Sequence, residues 1–197
     1  MRIVLSDFIS LDGVVQAPGQ RKEDTDGGFE HGGWSMRYFD EASMGPAIGE
    51  TMSSTDALLF GRQTWQVMAG AWPGRAGDAF ADRMNEITKY VASRTLSEDD
   101  LTWNNSHLLP PDDVLGAVEK LKTQEGGDIQ VMGSASFARQ LIENGLVDEY
   151  NLMIEPVVLG GGKRLFPDDG AMRDLELVSA TTSGTGVHIC KYRARSG

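Results

Sequence analysis

The chain has 197 residues, of which 40% are hydrophobic and 24% are charged, as in an ordinary globular protein. Its formal net charge of -11 argues against a protein that binds nucleic acid or an anionic membrane over a broad surface, because such a surface needs spread positive charge. Cys190 is the only cysteine, which excludes an intrachain disulfide and favours a reducing, cytoplasmic location. No segment has the pattern of a signal peptide or a membrane span, so we expect a soluble protein.

The first half of the chain alternates between strand and helix patterns. Residues 17–35 are rich in glycine and charge, which predicts a long surface loop that is either functional or mobile. Phe80, Met84 and Ile87 recur at helical spacing. The predicted elements are a strand at 2–9, a helix at 40–54, a strand at 57–60, a helix at 62–70 and a helix at 78–87.

The second half continues this alternation and then changes to consecutive strands. Residues 110–124 begin with proline and aspartate and carry apolar residues on one face, which predicts an amphipathic helix. Gly145 is a typical helix cap, and the glycines at 184 and 186 indicate a turn between two strands. The predicted elements are a strand at 89–93, the helix at 110–124, a strand within 126–133, a helix at 134–145, a strand with a glycine turn at 147–162 and two strands within 174–195.

This order of elements indicates an α/β fold. We expect one mixed, mostly parallel central sheet with helices on both faces and a C-terminal antiparallel hairpin at its edge. The chain contains no internal repeat and no linker, so residues 1–197 are predicted to form a single domain.

Three junctions share one layout, in which a strand ends at small or polar residues and a helix or turn follows. They are 60–64, 92–95 and 132–136. Ligands of open α/β sheets bind beyond the carboxyl ends of strands, where glycine permits close approach and helix N-termini offer free N–H groups. We therefore predict that Arg62, Arg94 and the N–H groups after Gly133 bind a phosphorylated ligand. Each junction alone is also compatible with a turn glycine and a helix cap.

Other familiar motifs fail on their spacing. Val157, just before the stretch VLGGGKRL, stands where a P-loop needs its first glycine, and Arg164 stands where it needs Ser or Thr. No G-x-G-x-x-G follows the first strand, which argues against a Rossmann enzyme. The three histidines are scattered, so no metal site is expected, and no Ser or Cys nucleophile motif occurs.

The stretches FISLDG, ALLFGRQTW and VASRTL, the segment from Ile129 to Phe166 and the closing hairpin resemble the dihydrofolate reductase-like superfamily. Within it, the chain is most similar to the RibD C-terminal family, which contains the reductase domain of riboflavin biosynthesis. The resemblance covers nearly the whole chain, and its most specific part is 129–166. It implies a dihydrofolate reductase-like fold, NADPH as hydride donor to a pterin- or pyrimidine-like heterocycle, and often a homodimer.

The resemblance also implies cofactor contacts at four segments. The loop after the first strand, beside the nicotinamide, is matched by Asp12 and Gly13, and the segment for the cofactor phosphates is matched by Gly61, Arg62 and Thr64. The segment beside the adenosine 2′-phosphate is matched by Ser93, Arg94 and Thr95, and the pyrophosphate turn is matched by Gly133, Ser134, Ala135 and Ser136. A positive fork at Arg94 favours NADPH over NADH. Ser134 replaces a second glycine that the superfamily often has.

The protein must also orient the reactants and deliver a proton, because the cofactor itself carries the hydride. Folate reductases use a carboxylate on the first helix, but no acid in that region stands in a matching motif, so the catalytic residue stays unassigned. The acidic candidates are Asp12, Asp40, Glu41, Glu50 and Glu155. Trp34 and Phe39 are candidates for stacking on a flat ring. Of these residues, we predict substrate contacts for Asp12, Trp34 and Glu155.

Two classes of function remain open. The first is an NADPH-dependent reductase, for which dihydrofolate and the ribosylaminopyrimidine of riboflavin synthesis are both compatible substrates. The second is an NADP-binding dimer without efficient turnover, with a regulatory or structural role. A well-placed proton donor would separate the two classes.

Overall fold

The computed structural model describes residues 1–75 and 77–195, and in this part of the chain eight strands form one sheet. The strands are β1 (Arg2–Ser10), β2 (Thr55–Gly61), β3 (Thr88–Ala92), β4 (Ser106–Leu108), β5 (Asp128–Val131), β6 (Glu149–Glu155), β7 (Leu175–Thr182) and β8 (His188–Ala194). The α-helices are α1 (Glu41–Ser54), α2 (Arg62–Ala71), α3 (Ala79–Glu86), α4 (Val114–Lys122) and α5 (Ala135–Glu143). The predicted domain also includes Ala76, Ser196 and Gly197, which lie outside the described residues.

The strand order is β4-β3-β2-β5-β1-β6-β8-β7. Neighbouring strands are parallel from β4 to β6, whereas β8 pairs antiparallel with both β6 and β7. The predicted mixed, mostly parallel sheet with a C-terminal antiparallel hairpin is therefore confirmed. Because parallel strands end at the same edge, the carboxyl ends of the central strands lie side by side.

Helices cover both faces of the sheet, as predicted. On β2, Ala57 and Leu59 point into one core with α4 and α5, whereas Leu58 and Phe60 point into a second core with α1, α2 and α3. This alternation follows from the two-residue period of a strand. Packing on both faces fixes the strand whose carboxyl end begins α2.

Local side-chain signals set several helix boundaries. Asp40 caps α1 and Asp78 caps α3, and each carboxylate accepts a hydrogen bond from an amide in the first turn. The prediction of a helix from residue 110 is wrong at its start, because residues 110–113 form a turn and α4 begins at Val114. The three residues of β4 are too few to show a period, and the sequence does not predict this strand. None of the helices in the described residues is both long and apolar enough to cross a membrane.

The second core depends on Trp103, which is 1% exposed and packs against Phe60 with ring centroids 6.0 Å apart. Its Nε1 donates to Asn85 Oδ1 at 2.7 Å. We expect Trp103→Ala to lower the free energy of unfolding by about 3–5 kcal/mol, because it leaves a cavity beside β2. Urea unfolding measures this loss. Trp103→Phe keeps an aromatic ring and should cost less, so equal losses for both variants would contradict the packing role.

Candidate active site

The three predicted phosphate-binding junctions meet at one edge of the sheet. β3, β2 and β5 are adjacent and parallel. Gly61 ends β2, Ala92 ends β3, and Gly133 lies just beyond β5. The structure therefore brings together Arg62, Arg94 and the turn at Gly133.

Close backbone packing holds two of these strand ends against each other. The Gly61 amide donates to the Gly133 carbonyl at 3.3 Å. A Cβ atom added at Gly61 would collide with the Ser134 side chain, and one added at Gly133 would lie 3.1 Å from Thr64 Oγ1. A side chain at residue 61 would push the two junctions apart, so glycine is the residue that this approach requires.

Gly133 and Ser134, in the turn after β5, have different backbone conformations. Gly133 has a φ of +95°, in the region that favours glycine. Ser134 has φ −78° and ψ 161°, which any residue can adopt, and it is the N-cap residue of α5. The peptide bond between them is cis. Serine in place of the second glycine is therefore compatible with this turn.

A groove of about 500 Å³ lies over these strand ends. The predicted cofactor residues that line it are Gly61, Arg62, Ser93, Arg94, Thr95, Ser134 and Ser136. Thr64 packs behind this surface against Gly133, and Ala135 is 8% exposed. Sequence reasoning missed the part of the lining formed by residues 111–115, because the proline and aspartate there resemble only a helix start.

Two helix N-termini and two arginines lie at the groove, and the two arginines differ in their hydrogen-bond partners. The first turns of α2 and α5 lie at its wall, where backbone N–H groups have no partner within the helix. Arg62 donates to Gln66 at 2.9 Å. Arg94 is exposed and forms no hydrogen bond or ion pair with another described residue, so its guanidinium is available to a ligand. Asp112 and Asp113 also line the groove and offer acceptors for hydroxyl groups.

Ser93 shapes the junction after β3. Its Oγ accepts hydrogen bonds from the amides of Thr95 at 3.1 Å and Leu96 at 3.0 Å. Only 6% of the residue is exposed. The hydroxyl therefore holds the turn that carries Arg94 to the groove.

Asp12 fastens the loop after β1 to the glycine turn near residue 160. Its carboxylate accepts from the amides of Leu159 at 3.0 Å and Gly160 at 2.9 Å, and from Ser10 Oγ at 2.7 Å. Burial opposes the effect of these hydrogen bonds, which nevertheless hold the pKa of Asp12 below its ordinary value. An ionised, fully bonded carboxylate is a poor proton donor. Gly13 lies in the same loop, with a φ of +83°.

The acids at the start and end of α1 also have structural surroundings. Asp40 caps the helix, and the hydrogen bond from Ser43 Oγ is the largest of the effects that lower its pKa. Glu41 is exposed, and Glu50 Oε1 lies 3.1 Å from Lys191 Nζ at the surface. No first-helix acid therefore takes the place of the folate reductase carboxylate.

Glu155 is the buried acid among the predicted candidates. It ends β6 and is 0% exposed; its Oε1 accepts from Ser35 Oγ at 2.5 Å, and its buried Oε2 has no partner among the described residues. Burial raises the pKa of Glu155 to about 7, against the opposing effects of the Ser35 hydrogen bond and Arg37. A carboxyl with this pKa can hold or release a proton near neutral pH, as general acid catalysis requires.

Trp34 holds the loop segment that carries Ser35. It is 5% exposed, and its Nε1 donates to the Gln16 carbonyl at 2.8 Å. The indole packs in an apolar cluster with Val14 and Phe29. Little of its ring is accessible, so it supports the wall beside Glu155 more than it offers a free stacking face.

Sequence reasoning missed Asp7, a half-buried acid in the central strand β1. Burial raises the pKa of Asp7 well above its ordinary value, and the nearby Glu23 adds to this rise. Leu5 pairs with Val131, so Asp7 lies two residues beyond the last pair between β1 and β5, toward the carboxyl ends of these strands. The available signal was a carboxylate within an otherwise apolar strand.

The long loop predicted at 17–35 is pinned to the site by Lys163. Its Nζ lies 2.6 Å from Asp24 Oδ2 and 2.7 Å from Asp26 Oδ2, and reaches Gln63 Oε1 at 3.5 Å. A second cavity of about 470 Å³ lies between this loop and the glycine turn. Gln63 lines the groove and Lys163 lines the second cavity, so the two spaces adjoin.

The packing of Gly61 on Ser134 makes a direct prediction about stability. We expect Gly61→Ala to lower the free energy of unfolding by about 1–3 kcal/mol, because its Cβ overlaps the serine side chain while its φ of −73° suits alanine. Urea unfolding of a double-mutant cycle with Ser134→Gly measures the coupling. At least half of the loss should disappear in the double variant, and a fully additive cycle would contradict the contact.

The carboxyl of Glu155 makes a prediction about pH. The ordinary pKa of 4.5 applies to Glu155 in the unfolded chain, so between pH 4.5 and about 7 this carboxyl ionises in the unfolded chain but not in the folded protein. Ionisation stabilises the unfolded chain, and the free energy of unfolding therefore falls as pH rises. Glutamine cannot ionise, so the Glu155→Gln variant does not show this decrease. The stability advantage of Glu155→Gln over the wild type should therefore grow by about 3 kcal/mol between about pH 4.5 and pH 8.

Chemical unfolding at both pH values tests this expectation. Glu119→Gln, at an exposed residue of α4, is the matched control and should show no such growth. A constant difference between Glu155→Gln and the wild type would indicate that Glu155 ionises normally.

The chain matches a known protein family over most of its length. The model of the RibD C-terminal domain family matches residues 2–189. The uncharacterized protein YyaP of Bacillus subtilis is 33% identical over 193 residues, which cover 94% of this chain and 91% of that protein.

Solved structures show the same fold at low sequence identity. A Shewanella sp. PV-4 protein named for riboflavin biosynthesis aligns with a TM-score of 0.72 at 15% identity, over 100% of both chains. A pyrimidine reductase-like protein from Corynebacterium diphtheriae aligns with a TM-score of 0.66 at 15% identity, over 100% of this chain and 92% of the other. A Thermotoga maritima diaminohydroxyphosphoribosylaminopyrimidine deaminase/5-amino-6-(5-phosphoribosylamino)uracil reductase aligns with a TM-score of 0.64 at 12% identity, over 98% of this chain and 56% of that one. By its sequence match over nearly its whole length, the chain belongs to the RibD C-terminal domain family.

Proposed function

We propose that the protein is an NADPH-dependent reductase of a small pterin- or pyrimidine-like heterocycle. The observation that carries the proposal is the packing of Gly61 against Ser134, which aligns two helix N-termini and two arginine-bearing junctions along one groove. Such groups suit a ligand with several phosphates. Membership of the RibD C-terminal family and the relatives named as reductases support the same function.

The residues of the groove fit the phosphates of a dinucleotide. The first-turn amides of α5 and the hydroxyls of Ser134 and Ser136 would hold the pyrophosphate. Arg62 would add positive charge, and the unpaired fork of Arg94 would bind the adenosine 2′-phosphate. NADPH, when bound, supplies the hydride. The chain itself must orient the acceptor and move a proton.

Glu155 favours an enzyme over a binding protein without turnover. Reduction of a C=N or C=O bond in the substrate consumes a proton as well as a hydride, and a buried acid with a pKa of about 7 is suited to donate that proton. Dihydrofolate-type and ribosylaminopyrimidine-type substrates both fit this chemistry. Measurement of NADPH oxidation with a panel of pterins, flavins and pyrimidines as candidate substrates distinguishes these two substrate types. The homodimer and the cytoplasmic location stay predictions.

Arg94 should determine the preference for NADPH over NADH. We expect the wild type to bind NADPH more tightly than NADH, and Arg94→Ala to narrow this gap about tenfold or more, because the 2′-phosphate loses its charged partner. Affinity for NADH should change little, since it lacks that phosphate. Fluorescence titration with both cofactors measures all four affinities.

Arg193→Ala is the matched control, because Arg193 is exposed on β8, four strands away from β2. It should leave the ratio of the two affinities unchanged. Equal wild-type affinities for NADPH and NADH, or an unchanged ratio in Arg94→Ala, would contradict the assignment of Arg94.

A further inference from the structure

Three buried polar atoms without partners share one face of the sheet. Among the described residues, the buried side-chain N and O atoms that lack a hydrogen bond are Ser6 Oγ, Asn151 Oδ1 and Glu155 Oε2. Ser6 pairs with Asn151 and Ser10 with Glu155, so all three side chains leave the same face of β1 and β6. Each such atom lowers stability unless a ligand or water forms a hydrogen bond with it. Their concentration on one face therefore points to a polar binding site.

The same face is open in the middle of the sheet. β1 and β6 each have a strand on both sides. Even so, Ser6 and Phe8 on β1 and Asn151 and Met153 on β6 are all partly exposed. Asn151 Nδ2 donates to Thr51 Oγ1 of α1 at 3.2 Å, so this helix borders the opening. Solvent thus reaches a cleft between these two strands and α1.

Glu155 closes this cleft at the edge that also carries the groove. Strands spaced by about 4.8 Å put the end of β6 about 14 Å from the end of β2, across β5 and β1. Phe8 and Trp34 belong to one apolar cluster on this side of the sheet. At this end of the cleft a flat ring would meet the apolar side chains of Phe8 and Trp34. The unpartnered polar atom there is Glu155 Oε2, which is buried and is reached only when its neighbours move aside.

Building on the proposed reductase function, we propose that Glu155, positioned by Ser35, determines substrate specificity by binding the N–H and C=O edge of an uncharged lactam ring. The Oε2 hydroxyl would donate to the lactam C=O, and the remaining lone pair of Oε1 would accept from the lactam N–H. Ser35 already holds Oε1, which fixes the plane of the carboxyl group.

The surroundings of Glu155 favour its uncharged form. An ionised carboxylate has acceptors only and would match a cationic amidinium. Glu155 forms no ion pair with another described residue, and Arg37 is the charged group that acts on it from nearby. Burial therefore has the largest effect and keeps the proton on the carboxyl up to about pH 7, where the pKa of Glu155 lies.

Two probes with the same ring system test the proposal. Quinazolin-4-one is an uncharged lactam, and 2,4-diaminoquinazoline becomes an amidinium on protonation. Calorimetry at about pH 6 on the full chain should show tighter binding of the lactam. Glu155→Gln should keep the lactam affinity within about threefold, because its amide retains a donor and an acceptor. Glu155→Leu should weaken lactam binding about tenfold or more.

The dependence of binding on pH gives a second readout. At about pH 8.5 the wild type should lose about tenfold or more in lactam affinity, whereas Glu155→Gln should not change. In Ser35→Ala the lactam affinity should fall at a higher pH than in the wild type, because the Ser35 hydrogen bond lowers the pKa of Glu155. Glu119→Gln, on the exposed side of α4, should bind like the wild type. Unfolding midpoints verify that each variant is folded.

Several results would overturn the inference. They are failure of the wild type to bind either probe, unchanged lactam affinity in a folded Glu155→Leu variant, or preference for the diamino probe that Glu155→Gln abolishes. NADPH titration of the same samples tests the proposed function separately. Lactam selectivity without NADPH binding would contradict the reductase function and support the lactam site. NADPH binding with a lactam affinity that does not depend on Glu155 would contradict the lactam site and leave the reductase function supported.

Discussion

The approach of β2 to β5 at their carboxyl ends controls the geometry of the groove. Gly61 lies against Ser134 with no space for a side chain, and its amide bonds to the Gly133 carbonyl. The helices that follow these strands therefore begin side by side. Because β2 is buried on both faces, its end cannot shift away to accommodate a larger residue. The apolar run 57–60 ends on glycine for this reason, and the arginine that follows is carried to the groove.

Local charge, not net charge, sets what this groove can bind. The chain carries a formal charge of -11, which repels extended polyanions. The positive groups at the groove are two helix N-termini, Arg62 and the unpaired Arg94, and they share its lining with Asp112 and Asp113. Such a groove suits a single nucleotide ligand whose phosphates lie within a few ångströms of these positive groups, since solvent and salt screen the acidic surface beyond about 10 Å.

The acids around the site differ in role because their surroundings differ. Asp12 and Asp40 accept several hydrogen bonds, which lower their pKa values and make them structural anchors. Burial instead raises the pKa values of Asp7 and Glu155. Carboxyl groups of one chemical type thus have pKa values shifted in opposite directions by their surroundings, which is how a protein separates proton donors from ionised groups.

The sequence by itself determined the order and type of the main elements. Apolar runs, helical periods and glycine turns predict the alternation of strands and helices and the closing hairpin, because these depend on neighbours close in the chain. The shared layout of strand end, small or polar residue and helix or turn also located the three junctions, which the sheet then brought together. The short strand β4 and the true start of α4 escaped because three residues show no period and a proline turn resembles a helix cap.

Only the tertiary structure decided which acids are buried. Glu155 is identical in type to Glu41 and Glu50, yet its burial and its bond to Ser35, 120 residues away, arise from loop packing. Asp7 acquires its raised pKa from the sheet and from a distant loop that carries Glu23. Desolvation depends on every atom that surrounds a group in space, and no pattern of nearby residues along the chain encodes that sum.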